Sequence, residues 1–126
     1  MKTIKKLSIA TDKIISYQTY SDNWHFGEGE SFNKEVIDIS LKVLDLYNDC
    51  FFNQIEIFPG FNGQVLIILY DNYSNTLEVT INKNLKIDFL IINNEEEKQS
   101  LEQISFDELE KEIKLVKYKI GLILKT

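Results

Sequence analysis

From Ser105 the chain reads SFDELEKEIKLVKYKIG, and Leu109, Ile113, Val116 and Ile120 recur at the spacing of a single helix face. Ser105 and Glu108 have the spacing of a capping box, acids crowd the first turns and Lys the last. Glu110 can pair with Lys114, and Gly121 stands where this helix is expected to end. An earlier helix is expected after Asn33, which suits an N-cap, with Glu35 in the first turn. Ile37, Leu41, Leu44 and Asn48 form its stripe, flanked by Val36, Val43 and Tyr47, and Asn48 and Asp49 favour a stop. Between Ile4 and Tyr20, Leu7, Ile14, Ile15 and Tyr17 suit a short helix, with a strand over Lys5 to Ala10 as the competing reading.

The middle third changes period. QIEIFPGFNGQVLIILY reads as a short strand, a turn around Pro59-Gly60-Phe61-Asn62-Gly63 in which Asn62-Gly63 supplies the positive φ angles, and a second strand. Val65 to Tyr70 is apolar at every position, which marks an interior strand covered on each side. Leu77, Val79 and Ile81 alternate with Glu78, Thr80 and Asn82, giving a strand with one wet face. Ile87, Phe89 and Ile91 then alternate inward, and residues 93 to 99 read as a solvated acidic connection. The expected fold is α+β: an antiparallel meander of three to four strands with helices on one face, in the order α-α-β-β-β-β-α.

Composition narrows the function. The 126 residues suit one domain, 1–126, large enough to bury about two-thirds of the unfolded surface. The apolar runs fall well short of the roughly 18 residues that span a bilayer. Asp12 and Lys13 interrupt the basic start MKTIKKLSIATDK, so it does not read as a signal peptide and no membrane partner is expected. Cys50 is alone, which excludes an intramolecular disulfide and zinc-finger or cluster sites and suits a reducing cytoplasm. Lys accounts for all fourteen basic residues against twenty acids, for a net charge of -6. Without Arg, bidentate recognition of phosphates and bases is lost, which disfavours direct nucleic-acid binding.

The segment SDNWHFGEGESFNKEV holds the only Trp and the only His. His25 with Asp22, Glu28 and Glu30 suggests acid/base or metal chemistry, but the match is weak beside an exposed His next to a Trp that plugs the core. Gly27 and Gly29 lack the Lys-Ser/Thr of a phosphate loop, and an acidic, apolar setting gives Cys50 no activation as a nucleophile. No catalytic residue, metal ligand or cofactor is assigned. The phenylalanines Phe51, Phe52, Phe58 and Phe61 pack a corner or expose an apolar patch. If helices cover one sheet face, the other apolar residues of Val65 to Tyr70 need a lid, which a second copy or a target protein could supply. Acids concentrate at Glu95, Glu96 and Glu97 and again at Glu102, Asp107, Glu108, Glu110 and Glu112, a density suited to a cationic partner channel.

The residues Asn23-Trp24, Glu56-Ile57, Pro59, Gly63 and Leu77-Glu78-Val79 resemble a family of small uncharacterised bacterial proteins. Its pattern runs Asn-Trp-Asp-Gly-Tyr-Gly, helix, Pro-Glu-Ile-x-Pro, Gly-containing turn, apolar strand and Leu-Glu-Val strand. The resemblance spans roughly residues 15 to 92 and departs from the pattern at His25-Phe26-Gly27-Glu28. It implies the fold and no activity.

The expected function is that of a small acidic, non-enzymatic protein that binds a protein partner. It would act as an inhibitor, immunity protein or antitoxin of a mobile-element or defence system, with an anti-CRISPR protein of a phage as one form. Its partner would be a nucleic-acid-binding effector, met through His25, Phe26, Glu28, Glu30, Phe51, Phe52, Phe61, Tyr70 and Glu95 to Glu97. The alternatives are a small-ligand or catalytic module built on the His25 loop, and a weak RNA binder using Lys2, Lys5, Lys6, Lys114, Lys117, Lys119 and Lys125.

Overall fold

The computed structural model describes the backbone of residues 2–25, 27–47, 54–71 and 75–125, and of these the side chains from residue 7 to residue 115. Helix α1 (Lys2–Ser16) runs into a 3-10 turn (Tyr17–Thr19), and α2 (Lys34–Leu46) follows. Strands β1 (Gln54–Pro59), β2 (Val65–Tyr70), β3 (Asn75–Ile81), β4 (Ile87–Asn93) and β5 (Glu96–Ile104) form one antiparallel sheet in sequence order. Helix α3 (Phe106–Lys125) follows β5. The α+β meander is as expected, with five strands rather than three or four. The helices line up across one face: α1 against β1, α2 against β2 and β3, α3 against β4.

The core lies between these layers. Val65, Ile67 and Leu69 of β2, Leu77, Val79 and Ile81 of β3, and Ile87 and Phe89 of β4 point at the helices and are buried. Val36, Ile37, Ser40, Val43 and Leu44 of α2 meet them, which bears out the broad face with its flanks Val36 and Val43, except that Ser40 is buried and Leu41 only half-buried. The Ser40 hydroxyl is satisfied within its own helix by donating to the Val36 carbonyl at 2.7 Å. Leu109 and Ile113 bury the first turns of α3, while the side chains of Val116 and Ile120 lie outside the described residues.

Some local expectations hold and others are corrected. The N-terminal segment is helical, as first read, and the competing strand over Lys5 to Ala10 is absent. Asn33 stands at the N-cap with extended backbone, but its side chain makes no capping hydrogen bond. At α3 the Glu108 amide donates to the Ser105 hydroxyl at 3.2 Å, as a capping box requires. Gly121 lies inside α3: one Gly costs a helix only about 1 kcal/mol, and Leu122, Ile123 and Leu124 beyond it favour continuation. The ion pairs among the described residues are Lys83–Glu30 and Lys98–Glu96, not Glu110–Lys114.

The acidic connection of residues 93 to 99 is instead a hairpin leading into β5. Asn94 and Glu95 both take positive φ (52° and 67°), the conformation of a two-residue turn whose twist matches the strands it joins. β5 then pairs with β4 irregularly. Phe89 lies opposite Leu101 and Ile87 opposite Ile104, so inward positions two apart on β4 are three apart on β5. Gln103, with φ 55°, accommodates the extra residue, and its amide donates to Asp88 Oδ1 at 2.9 Å. A bulged, charged edge strand has no period-two signature, and both features keep it from pairing with other chains.

Two hairpin turns have the same hydrogen bonding with different chemistry. In the β1–β2 turn Gly60 donates to the Gln64 carbonyl and Gly63 to the Gly60 carbonyl, with Gly63 at φ 74°. In the β3–β4 turn Asn82 donates to the Lys86 carbonyl and Leu85 to the Asn82 carbonyl, with Leu85 at φ 70°. Leu85 thus holds the left-handed position that Gly fills in the other turn, and its side chain is 38% exposed. Leu85→Gly is expected to stabilise the fold by about 0.5–1 kcal/mol, read as a higher urea midpoint. A lower midpoint would mean that the leucine side chain contributes more than its backbone strain costs.

Tyr17 closes the core beneath the 3-10 turn. Its ring stacks on Phe32 at 5.3 Å, and its hydroxyl donates a long hydrogen bond, 3.5 Å, to the Ile57 carbonyl. Burial, and secondarily Tyr20, push this hydroxyl well above its ordinary pKa. The folded state therefore favours the neutral phenol. The associated stability is complete below the unfolded value of about 10 and declines as pH rises above it. The unfolding midpoint should fall above pH 10 in the wild type and fall less in Tyr17→Phe; parallel curves would contradict this.

Candidate functional site

Residues 22–25 and 27–31 belong to a loop closed over one end of the sheet. The Asn23 amide donates to the Gly29 carbonyl, and the Ser31 amide to Asp22 Oδ1 at 2.9 Å. That bond, from the Ser31 backbone first of all, holds the Asp22 carboxyl below its usual pKa. Trp24 lies across the loop, its indole N–H donating to the Glu30 carbonyl at 2.6 Å. The indole packs on Tyr20, Phe32 and Phe61 with ring centroids 5.0, 6.0 and 5.8 Å away. Gly29 is buried under it, where a Cβ would overlap the indole ring. Gly29 therefore serves by leaving room, whereas Gly27 takes the positive φ (88°).

The loop is tied to both neighbouring hairpins. The Glu30 amide donates to the Phe61 carbonyl at 2.8 Å, and the Glu30 carboxylate pairs with Lys83 at 3.0 Å. Gly63 lies so close to the Ser31 carbonyl that a Cβ there would stand 3.0 Å from it. His25 is half-buried rather than exposed, stacked on Phe61 at 4.4 Å with its ring edge toward Trp24. Trp24 is likewise half-buried, a cover on the aromatic cluster rather than a plug in the core. Among the described residues no group of three His, Cys, Asp or Glu could hold a metal ion, and no helix is long and apolar enough to cross a membrane.

The residues expected to bind a partner do not form one site. His25, Glu30 and Phe61 gather at this corner, with Glu28 exposed on its rim. Tyr70 lies at the other end of β2, and Glu95, Glu96 and Glu97 occupy the β4–β5 turn and the start of β5. Phe26, Phe51, Phe52 and Cys50 lie outside the described residues. So do the side chains of Lys2, Lys5, Lys6, Lys117, Lys119 and Lys125, which leaves the basic face without a described geometry.

Between the two groups runs the sheet face turned away from the helices. Its cross-strand rows follow from the register. Phe58, Leu66, Thr80 and Asp88 form one row; Glu56, Ile68, Glu78, Leu90 and Ser100 the next; Gln54, Tyr70, Thr76, Ile92 and Glu97 the third. β2 and β4 thus carry apolar rows, Leu66-Ile68-Tyr70 and Leu90-Ile92, on either side of Thr76-Glu78-Thr80; Ile68 is buried at 8% exposure and the other four are half-buried. The registered positions include four carboxylates and no Lys. Lys13 and Lys98 stand at the margins, one over the Phe58 ring and one paired with Glu96. Burial, then the charges of Glu56 and Glu78, raise the pKa of the Tyr70 hydroxyl, a sign of the negative potential here.

Sequence reasoning found this surface in part. A β2 apolar at every position signalled a second face, but Leu66, Ile68, Leu90, Ile92 and Glu78 were not singled out. Their signal was the apolar residue at the nominally wet positions of β2 and β4. Comparison with family models, curated proteins and solved structures gives no match, so the resemblance noted above receives no support from a matching family.

Proposed function

We propose that this protein acts without catalysis in the cytoplasm, by occupying a surface of a protein partner. Inhibitors, immunity proteins and antitoxins of mobile-element or defence systems work in this way, and anti-CRISPR inhibition is one concrete form. The observation that supports the reading is the outer sheet face. Five strands backed by helices on one side present two apolar rows on the other, on an interior strand where monomeric domains ordinarily place polar residues. The aromatic corner supports the same reading by default, because Glu30 is engaged in joining the loop to both neighbouring hairpins.

Affinity purification from the native host tests it, with the wild type beside Leu66→Asp/Leu90→Asp and His25→Ala. One protein should be enriched by the wild type and by His25→Ala and lost with the sheet variant, whose fold is verified by circular dichroism. Equal recovery with all three, or loss confined to His25→Ala, would overturn the reading.

A further inference from the structure

We infer that the outer face receives a cationic amphipathic helix of the partner, with a Lys or Arg of that helix set on the Glu78 carboxylate. This rests on the protein-binding reading and specifies the partner's chemistry. The first argument is shape. β2 and β4 are two strand spacings apart, so their apolar rows stand about 10 Å from each other, close to the diameter of an α-helix. Between them β3 offers the short side chains of Thr76 and Thr80 as the floor of a trough. The row from Leu66 to Tyr70 extends about 13 Å, enough for between two and three helical turns.

The second argument is charge. Of the other three carboxylates in these rows, Glu97 lies on the edge strand β5, Glu56 Oε1 accepts from Gln54 at 2.9 Å, and Asp88 accepts from Asn82 and from the Gln103 amide. Glu78 is half-buried at the centre of the trough, opposite Ile68 on one side and Leu90 on the other. Among the described residues it has neither a hydrogen bond nor an ion pair. A carboxylate flanked by apolar side chains with no cation loses hydration when anything covers it, and a cationic partner compensates that loss more fully than a neutral donor does. A second copy does not fit: a twofold pairing through this face would set the carboxylates of Glu56 and Glu78 against their own kind.

The test uses the full chain with methyl and amide labels, and two probes: a roughly 15-residue helical peptide of Leu and Lys with one apolar face, and the same peptide with Glu for every Lys. The Lys peptide should shift the methyl resonances of Leu66, Ile68, Leu90 and Ile92 saturably, and Glu78→Gln should weaken it about fivefold. Leu90→Ala should weaken it as well, which keeps the test decisive if one variant folds poorly. Unchanged affinity in both variants, or shifts confined to α3 and β5, would overturn the inference. Equal binding of the Glu peptide at the same methyls would remove the cationic requirement and leave the protein-binding reading standing. Concentration-dependent dimerisation that perturbs these methyls would make the occupant a second copy and overturn the inference. If neither peptide perturbs the face and the chain sediments as a monomer, the inference falls, while the protein-binding reading is decided by the affinity purification.

Discussion

Gly29→Ala is expected to destabilise the protein by about 2–3 kcal/mol, although it adds a single methyl group. The added Cβ would occupy the space of the Trp24 indole ring. The indole has little freedom to withdraw, since its N–H is bonded to the Glu30 carbonyl and its faces meet Tyr20, Phe32 and Phe61. Accommodation therefore requires that Trp24 leave the cluster or that the Asn23–Gly29 hydrogen bond open. Trp24 is the sole tryptophan, so intrinsic fluorescence reads the event directly. The variant should show red-shifted emission in the folded state and a lower urea midpoint. An unshifted spectrum with a change below about 0.5 kcal/mol would mean that the loop does not depend on this packing.

Adjacent residues of β4 should differ even more sharply. Phe89 is 1% exposed on the helix side, packed among Val79, Leu101 and the helices, and Phe89→Ala is expected to cost about 3–5 kcal/mol. Leu90, its neighbour, faces the other way and is only half-buried, so Leu90→Ala should cost no more than about 1.5 kcal/mol. Urea unfolding of the two variants checks both values. Comparable losses would show that the outer face is covered like the inner one, and that Leu90 is core rather than surface.

The sequence was legible where one force dominates. α2 and the start of α3 bury one side and leave the other wet, and β3 alternates between Leu77-Val79-Ile81 and polar residues, so the period declares the element. β5 was missed because it is an edge strand whose bulges break the period: Leu101 and Ile104 share an inward face while lying three residues apart. The aromatic corner was legible as a structural feature from Trp24 and the glycines. The stacking of His25 on Phe61 depends on contacts between segments more than thirty residues apart, which no local pattern encodes. The outer face was half legible for a related reason. β2 shows its apolar residues in one run, but Leu90 and Ile92 become partners of Leu66 and Ile68 only once β3 is placed between them.

The central claim is that the outer sheet face meets the protein's partner. Methyl-detected NMR of the labelled chain, free and bound to the protein recovered from its host, tests it most directly. The account predicts that perturbations concentrate on Leu66, Ile68, Leu90 and Ile92, while the inward Ile67, Leu77 and Val79 keep their positions. Perturbations centred instead on the helix face or on the His25–Phe61 corner, with the four outer-face residues unmoved, would contradict it.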